Sequence, residues 1–124
     1  MHIEIERVDI KQVYNQADAK DGFRILVDRL WPRGLSKDKA KVDLWLKSIA
    51  PSHELRTWYG HDPDKWPEFK QRYFTELDTN NEAVNELLSH VQHGKVSLLY
   101  SSKEAHFNNA AALRDYLCKM AGQH

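Results

Sequence analysis

Charged side chains that could bind an anion follow an apolar run in the stretch LVDRLWPRG, residues 26–34. Guanidinium groups such as those of Arg29 and Arg33 donate forked pairs of hydrogen bonds that match a phosphate or a carboxylate. Asp28 can orient a guanidinium or accept a proton, and Ser36 adds a hydroxyl shortly afterwards. These residues predict a site for a small anionic or phosphate-bearing ligand. The alternative is scaffolding, in which Asp28 and Arg29 form a buried ion pair or hold loop backbone.

A second set of polar residues follows KVSLLYSS, residues 95–102, whose almost continuous apolar run is typical of a strand buried in a parallel sheet. A helix is predicted from about residue 108, and the first N–H groups of a helix favour an anion. Ligands of open α/β sheets bind beyond the carboxyl ends of the strands. If this strand neighbours the predicted strand 23–31, both polar segments face one crevice. The neutral donors and acceptors there are Ser101, Ser102, Asn108 and Asn109.

His61 and Asp62, in the stretch YGHDP, form a further candidate pair. An imidazole held in one tautomer by a carboxylate can act as an acid or a base. The alternative is that Asp62 caps the turn opened by Pro63 while His61 packs on a neighbouring tryptophan. The sequence therefore adds His61 and Asp62 to the ligand-binding candidates but assigns no catalytic residue and no reaction.

Metal and cofactor chemistry has little support in the sequence. His90 and His93 have the spacing of half a metal site, but no cysteine or carboxylate set accompanies them. There is no G-x-G-x-x-G, P-loop or G-x-S-x-G motif. Cys118, beside Leu117 near the end of the last predicted helix, is interpreted as a packing residue. We expect no metal and no cofactor.

The pattern of apolar residues predicts a small α/β domain with a mainly parallel sheet flanked by helices. Strands are predicted at residues 2–8, 23–31 and 95–102. Ser36 and Ser52 are predicted to be helix N-caps, and Gly60 is predicted to end the helix that Ser52 begins. Residues 42–49 are predicted to supply the apolar face of the helix that Ser36 begins. Three longer helices are predicted: one from Pro67, one that begins at Asn80 or Asn81 and ends at Gly94, and one over residues 108–120.

Composition narrows the class of protein. Lys plus Arg and Asp plus Glu each number 18 in 124 residues, and a neutral total argues against a general nucleic-acid or membrane-surface binder. Charge is nevertheless uneven: residues 20–47 hold eight basic against four acidic side chains. A single cysteine and the absence of a leader or an 18-residue apolar run predict a cytoplasmic protein with no membrane segment.

A second class of function is an interaction module. The stretch from residue 45 to residue 66 contains four aromatic residues that could form a partner or homodimer surface: Trp45, Trp58, Tyr59 and Trp66. The alternative is that they pack in the core. Nucleic-acid binding through the basic segment 20–47 ranks last, because no helix-turn-helix pattern accompanies it.

Four stretches, in this order, resemble the YeaO-like proteins, which belong to the domain-of-unknown-function family numbered 488: DGFRILVDRLWPRGLSK, LWLKSIAPSHELRTWYGHDP, FKQRYFTEL and VSLLYSS. The resemblance covers residues 3–118. It implies a small cytoplasmic bacterial protein whose residues 1–124 form a single compact α/β domain. It implies no established activity, because the family is uncharacterised.

The resemblance also bears on particular residues. The wider family carries Asp-Arg or Asp-x-Arg and then Pro after its second strand, and Asp28, Arg29 and Pro32 match this pattern. It often carries a Cys-His-Arg cluster after the last strand, whereas SSKEAHFNNAAAL has neither Cys nor Arg. Where many YeaO-like members place His-Asn, this chain has Phe107 and Asn108. Chemistry that depends on Cys or His at that place is therefore not expected, whereas anion binding by Arg29 and the helix start is retained.

Overall fold

A computed structural model describes residues 3–122 as a four-stranded, all-parallel sheet with helices on both faces. The strands are β1 (Val8–Gln12), β2 (Phe23–Leu26), β3 (Leu44–Trp45) and β4 (Val96–Tyr100). Their order in the sheet is β1-β4-β2-β3. The helices are α1 (Lys37–Ala40), α2 (His53–Tyr59), α3 (Trp66–Asp78), α4 (Asn81–Val91) and α5 (Asn109–Ala121). The predicted α/β class with a parallel sheet is confirmed.

Alternation along the central strands divides the core into two layers. Ile25 and Leu98 point into the larger layer, which α2, α3, α4 and α5 cover with apolar side chains. Leu26 and Leu99, one residue further along each strand, point into the smaller layer with Ala40 of α1. Every residue of β4 is buried, as expected for a central strand covered on both faces. No helix within residues 3–122 is long and apolar enough to cross a membrane.

The entry into β2 depends on a glycine and on a buried charged network. Gly22 has φ +70°, and a Cβ there would lie 2.3 Å from the carbonyl oxygen of Lys95. Two residues later, Arg24 is only 4% exposed and donates to an Asp21 carboxylate oxygen at 2.6 Å. Arg24 also donates to the carbonyl oxygens of Ala40 and Lys41, which fixes the end of α1 against the sheet.

The carboxyl end of β2 is tied to β4 and α5 by the carboxylate of Asp28. One Asp28 oxygen accepts hydrogen bonds from the Ser101 backbone N–H at 2.8 Å and from the Ser101 hydroxyl at 2.6 Å. The other oxygen accepts from the Asn109 side-chain amide at 3.0 Å, and this amide also donates to the carbonyl of Val27. The carboxylate therefore joins the end of β2 to two neighbouring segments that follow more than 70 residues later in the chain.

Three sequence-based boundaries were wrong. Residues 2–8 were predicted as a strand, but Ile5–Arg7 form a 3-10 helix and β1 begins at Val8. The predicted strand 23–31 ends at Leu26, because the chain turns away at Asp28 to form the hydrogen bonds just described. Residues 42–49 were predicted as a helical apolar face, but they contain β3 and a 3-10 helix, Lys47–Ile49. His2 lies outside the described residues.

The helix signals were more reliable. Ser52 caps α2 by accepting from the Leu55 N–H, and Gly60 ends that helix with φ +55°. The side chain of Asn108 caps α5 by accepting from the Ala111 N–H. The long helix predicted from Pro67 is α3, which begins one residue earlier. These signals are local in sequence, which is why residue types alone identify them.

Replacing Asp21 by Asn is expected to lower the free energy of unfolding by about 3 kcal/mol at pH 7, because it leaves the Arg24 guanidinium buried without its counter-charge. Burial opposes ionisation of Asp21, but the backbone N–H of Asp18, the Lys11 ammonium and the Arg24 guanidinium outweigh it and lower the pKa of this carboxyl. The wild type therefore has this stabilisation above about pH 4 and loses it as the pH falls through the lowered pKa of the folded state. Urea unfolding of both proteins across this pH range measures their free energies of unfolding. The difference between the two should become smaller as the pH falls.

Glu68→Gln provides the control, because Glu68 pairs with Arg72 on the exposed surface of α3. An exposed pair of this kind contributes at most about 1 kcal/mol. Equal unfolding free energies for Asp21→Asn and the wild type at pH 7 would show that the Arg24 network does not stabilise the fold.

Replacing Asp28 by Asn is expected to destabilise the fold by about 2 kcal/mol, because one amide oxygen cannot accept from both Ser101 and Asn109. The amide N–H₂ would also face donors that the carboxylate satisfies. Asp64→Asn is the matched control, since Asp64 is exposed at the start of a 3-10 helix. Chemical denaturation of the two variants should separate them by more than 1 kcal/mol, and overlapping curves would contradict the bridging role of Asp28.

Candidate functional site

A cleft of about 570 Å³ opens at the carboxyl edge of the sheet. Residues 28–33 after β2 form one wall, and residues 101–109 after β4 form another. Helix α2 contributes His53, Arg56 and Tyr59, and Tyr14 closes the side beyond β1. The pairing of β2 with β4 brings the two predicted polar segments together in this one cleft, where an α/β sheet is expected to bind a ligand.

Three arginines line the cleft: Arg29, Arg33 and Arg56. Arg29 and Arg33 are exposed, and within residues 3–122 no carboxylate forms an ion pair with any of the three. Asp28 is the single acidic residue of the lining, so three positive side chains against one negative give a formal charge of +2 with histidines neutral. The negative charge of Asp28 is itself engaged by three donors. The cleft therefore presents a positive field in which no carboxylate of residues 3–122 pairs with the guanidiniums.

Arg56 was not among the residues predicted from the sequence. It lies on α2, which is held in place because Ser52 donates its N–H and hydroxyl to the carboxylate of Glu76. Arg56 is half-buried, and its Nε atom is buried with no hydrogen-bond partner in the described part of the chain. A signal was present in the sequence, since no acidic residue lies three or four positions from Arg56 to pair with it along a helix.

Other cleft residues serve the scaffold first. Ser101 donates to Asp28, and Asn108, which is 3% exposed, caps α5 and donates to the carbonyl of Glu104. The Tyr59 hydroxyl donates to the carbonyl of Phe107 at 3.1 Å. Burial raises the pKa of Tyr59, and the carboxylates of Glu104 and Asp62 raise it further. Tyr59 is therefore a neutral hydrogen-bond donor at physiological pH.

The remaining predicted residues divide between lining and capping. His61 lines the cleft, is exposed and has φ +58°, in the left-handed region. Its ring centroid lies 6.4 Å from that of Tyr59. Asp62 accepts from the Asp64 N–H to cap a 3-10 helix, and it does not line this cleft. Ser36 likewise caps α1 by accepting from the Lys39 N–H and lies outside the cleft lining.

The aromatic residues proposed as an interaction surface lie on both faces of the sheet. Trp45 pairs in register with Leu26 and packs in the smaller core layer, where its indole N–H donates to the carbonyl of Asp28. Trp58 and Trp66 pack against the larger layer, in which Tyr59 is buried. The four side chains therefore do not form one continuous surface.

Among residues 3–122, no group of three or more His, Cys, Asp and Glu side chains is placed to hold a metal ion. The ring of His90 stacks on Phe23, with centroids 4.5 Å apart. The half-buried thiol of Cys118 lies 3.7 Å from a guanidinium nitrogen of Arg114 on the preceding turn of α5.

Comparison with known proteins identifies relatives without a described activity. Uncharacterised proteins of Mycobacterium tuberculosis and Mycobacterium bovis are each 40% identical to the chain over 111 residues, which are 90% of this chain and 93% of theirs. The uncharacterised protein YeaO of Escherichia coli is 38% identical over 110 residues, 89% of this chain and 96% of its own. No solved structure matches the chain.

A family model described as the inactive DUF488-N3 subclade matches residues 7–123, which include all four strands of the sheet and every residue of the cleft lining given above. Together with the identity to YeaO, this match confirms the predicted relationship. The chain belongs to the YeaO-like proteins of the DUF488 family, within the subclade described as inactive.

Proposed function

We propose that the cleft binds a small anionic ligand, such as a phosphate ester or a carboxylate, and does not transform it. The observation that carries this proposal is the concentration of three arginines without carboxylate partners in one cleft. Elsewhere in the chain a buried guanidinium is fully engaged: Arg24 has a carboxylate and two carbonyl partners. The cleft arginines differ because their natural counter-ion would come from outside the chain.

Arg56 supports the proposal because its side chain is half-buried in the cleft lining and its Nε atom has no hydrogen-bond partner among residues 3–122. An anion bound at this guanidinium would supply the negative charge that the described residues do not supply. Arg29 and Arg33 would add further charge-assisted hydrogen bonds.

Two observations favour binding over turnover. Asp28, the acidic residue of the cleft lining, accepts three hydrogen bonds and so is poorly available as a base. The subclade to which the chain belongs is described as inactive. A role in the cytoplasm, where phosphate esters and organic acids are abundant, is part of the proposal. Neither homodimerisation through the tryptophans nor nucleic-acid binding has a comparable observation in its favour.

The proposal predicts that anions stabilise the protein through the cleft arginines. Inorganic phosphate, a hexose phosphate, adenosine monophosphate and succinate would each be titrated while the melting temperature is recorded. A ligand at 100 times its Kd stabilises by about 2.7 kcal/mol, which shifts the melting temperature by several degrees. Arg29→Gln, Arg33→Gln and Arg56→Gln should each weaken binding of the best anion by about tenfold or more, because each removes a charge-assisted contact.

Arg72→Gln is the matched control, since Arg72 is an exposed arginine of α3 outside the cleft lining. Its anion-induced shift should equal that of the wild type. If no anion stabilises the wild type, or if the three cleft variants respond as Arg72→Gln does, the cleft is not an anion site.

A further inference from the structure

The large apolar side chains that are exposed within residues 3–122 all line the same cleft. They are Tyr14, Leu30 and Phe107, with exposed fractions of 45%, 67% and 38%. A single exposed apolar side chain is common on a protein surface and needs no explanation. Here three such side chains, which we call the apolar rim, line a cavity that also has three arginines without ion-pair partners among residues 3–122.

Two of these rim residues are held in place by the scaffold. Phe107 packs on Trp66, with ring centroids 5.3 Å apart, and its carbonyl accepts from the Tyr59 hydroxyl. The Tyr14 hydroxyl donates to the carbonyl of Arg33 at 2.8 Å. The aromatic rings are therefore held in position before any ligand binds. A ligand that covers them causes little further loss of side-chain entropy.

The space available also exceeds that needed for a simple ion. The cleft of about 570 Å³ falls within the usual size of a small-molecule site. A second cavity of about 530 Å³ adjoins it and shares Tyr59, His61, Ser102 and Phe107 with it. Phe107 therefore lines both cavities, and a ligand longer than its anionic group can lie against this ring.

From this arrangement, and resting on the proposed anion site, we infer that the ligand is an amphipathic organic anion. Its charged group is bound by the guanidiniums of Arg29, Arg33 and Arg56, and its apolar body lies against Leu30 and Phe107. Charge complementarity places one end of the ligand, and the exposed apolar surface places the other. Inorganic anions and highly hydroxylated phosphate esters then bind by their charge alone and more weakly than an amphipathic anion, because they leave the apolar rim exposed to water.

A series of phosphate monoesters with the same charged group tests this inference. Inorganic phosphate, methyl phosphate and phenyl phosphate would be titrated against the wild type by calorimetry. Phenyl phosphate should bind about tenfold or more tightly than methyl phosphate, because its ring removes apolar surface from water. Phenol, which keeps the ring and lacks the charge, should show no binding at the same concentrations.

Variants then distinguish the contribution of the apolar contacts from that of the charged contacts. Leu30→Ser changes a highly exposed side chain and should fold as the wild type does, while reducing the preference for phenyl over methyl phosphate about threefold or more. Phe107→Ser should reduce the preference similarly, with melting curves to verify that it is folded. Arg56→Gln should weaken both esters by the same factor and leave the preference unchanged.

The possible failures are distinguishable. If methyl and phenyl phosphate bind equally and Arg56→Gln weakens the binding of both, the proposed anion site is supported and the inference of an amphipathic ligand is wrong. If no phosphate compound binds, the proposed function itself fails. If an acidic or phosphorylated peptide binds through Arg56 and phenyl phosphate does not, the occupant is a polypeptide and the assignment to a small molecule is overturned.

Discussion

The cleft depends on one carboxylate that is surrounded by donors. Asp28 joins the end of β2 to Ser101 after β4 and to Asn109 at the start of α5. These hydrogen bonds fix the start of the loop that carries Arg29 and Arg33 relative to α5, together with the bond from Asn109 to the carbonyl of Val27. The same hydrogen bonds engage the negative charge of Asp28, so this residue positions the walls of the cleft and does not neutralise an arginine there.

Arg24 and Arg56 differ in whether the fold supplies acceptors for their buried nitrogen atoms. Arg24 is buried where the structure supplies a carboxylate and backbone carbonyls, and this network joins β2 to the end of α1. Arg56 also has a buried nitrogen, yet no described residue accepts a hydrogen bond from it. Since the cost of burying a guanidinium is the same in kind at both places, the difference is informative. One arginine is satisfied within the fold, and the other leaves a buried donor without an acceptor among residues 3–122.

Sequence patterns predicted those elements whose signals are short in range. Strand β4 and helices α3, α4 and α5 follow from their apolar spacing, and the start of α5 follows also from its Asn108 cap. Strand β3 was missed because it has two residues and exists only through pairing with β2, which no local pattern encodes. The alternation at Ile3 and Ile5 resembled a strand, although β1 begins at Val8.

For the site, the sequence indicated which segments meet but not how their charges pair. Arg29 was a possible partner for Asp28 because it is adjacent, whereas the side-chain amide that binds Asp28 belongs to Asn109, 81 residues away. Arg56 lies in the cleft because α2 packs on α3. Hydrogen bonds from Ser52 to the Glu76 carboxylate help to hold α2 there. Neither the Asp28–Asn109 contact nor the Ser52–Glu76 contact can be predicted from residue spacing. Each joins residues that are distant in the sequence and that meet only in the folded chain.

The brevity of β3 has a consequence for the protein at high concentration. An outer strand with unpaired backbone groups can recruit a strand from another molecule and so seed edge-to-edge aggregation. Here one outer strand has only two residues, too few to template a stable intermolecular ladder. The other, β1, has charged residues at Asp9 and Lys11. The sheet is thereby protected against fibre-like assembly at both of its borders, in a molecule whose formal net charge of zero would give little electrostatic repulsion between copies.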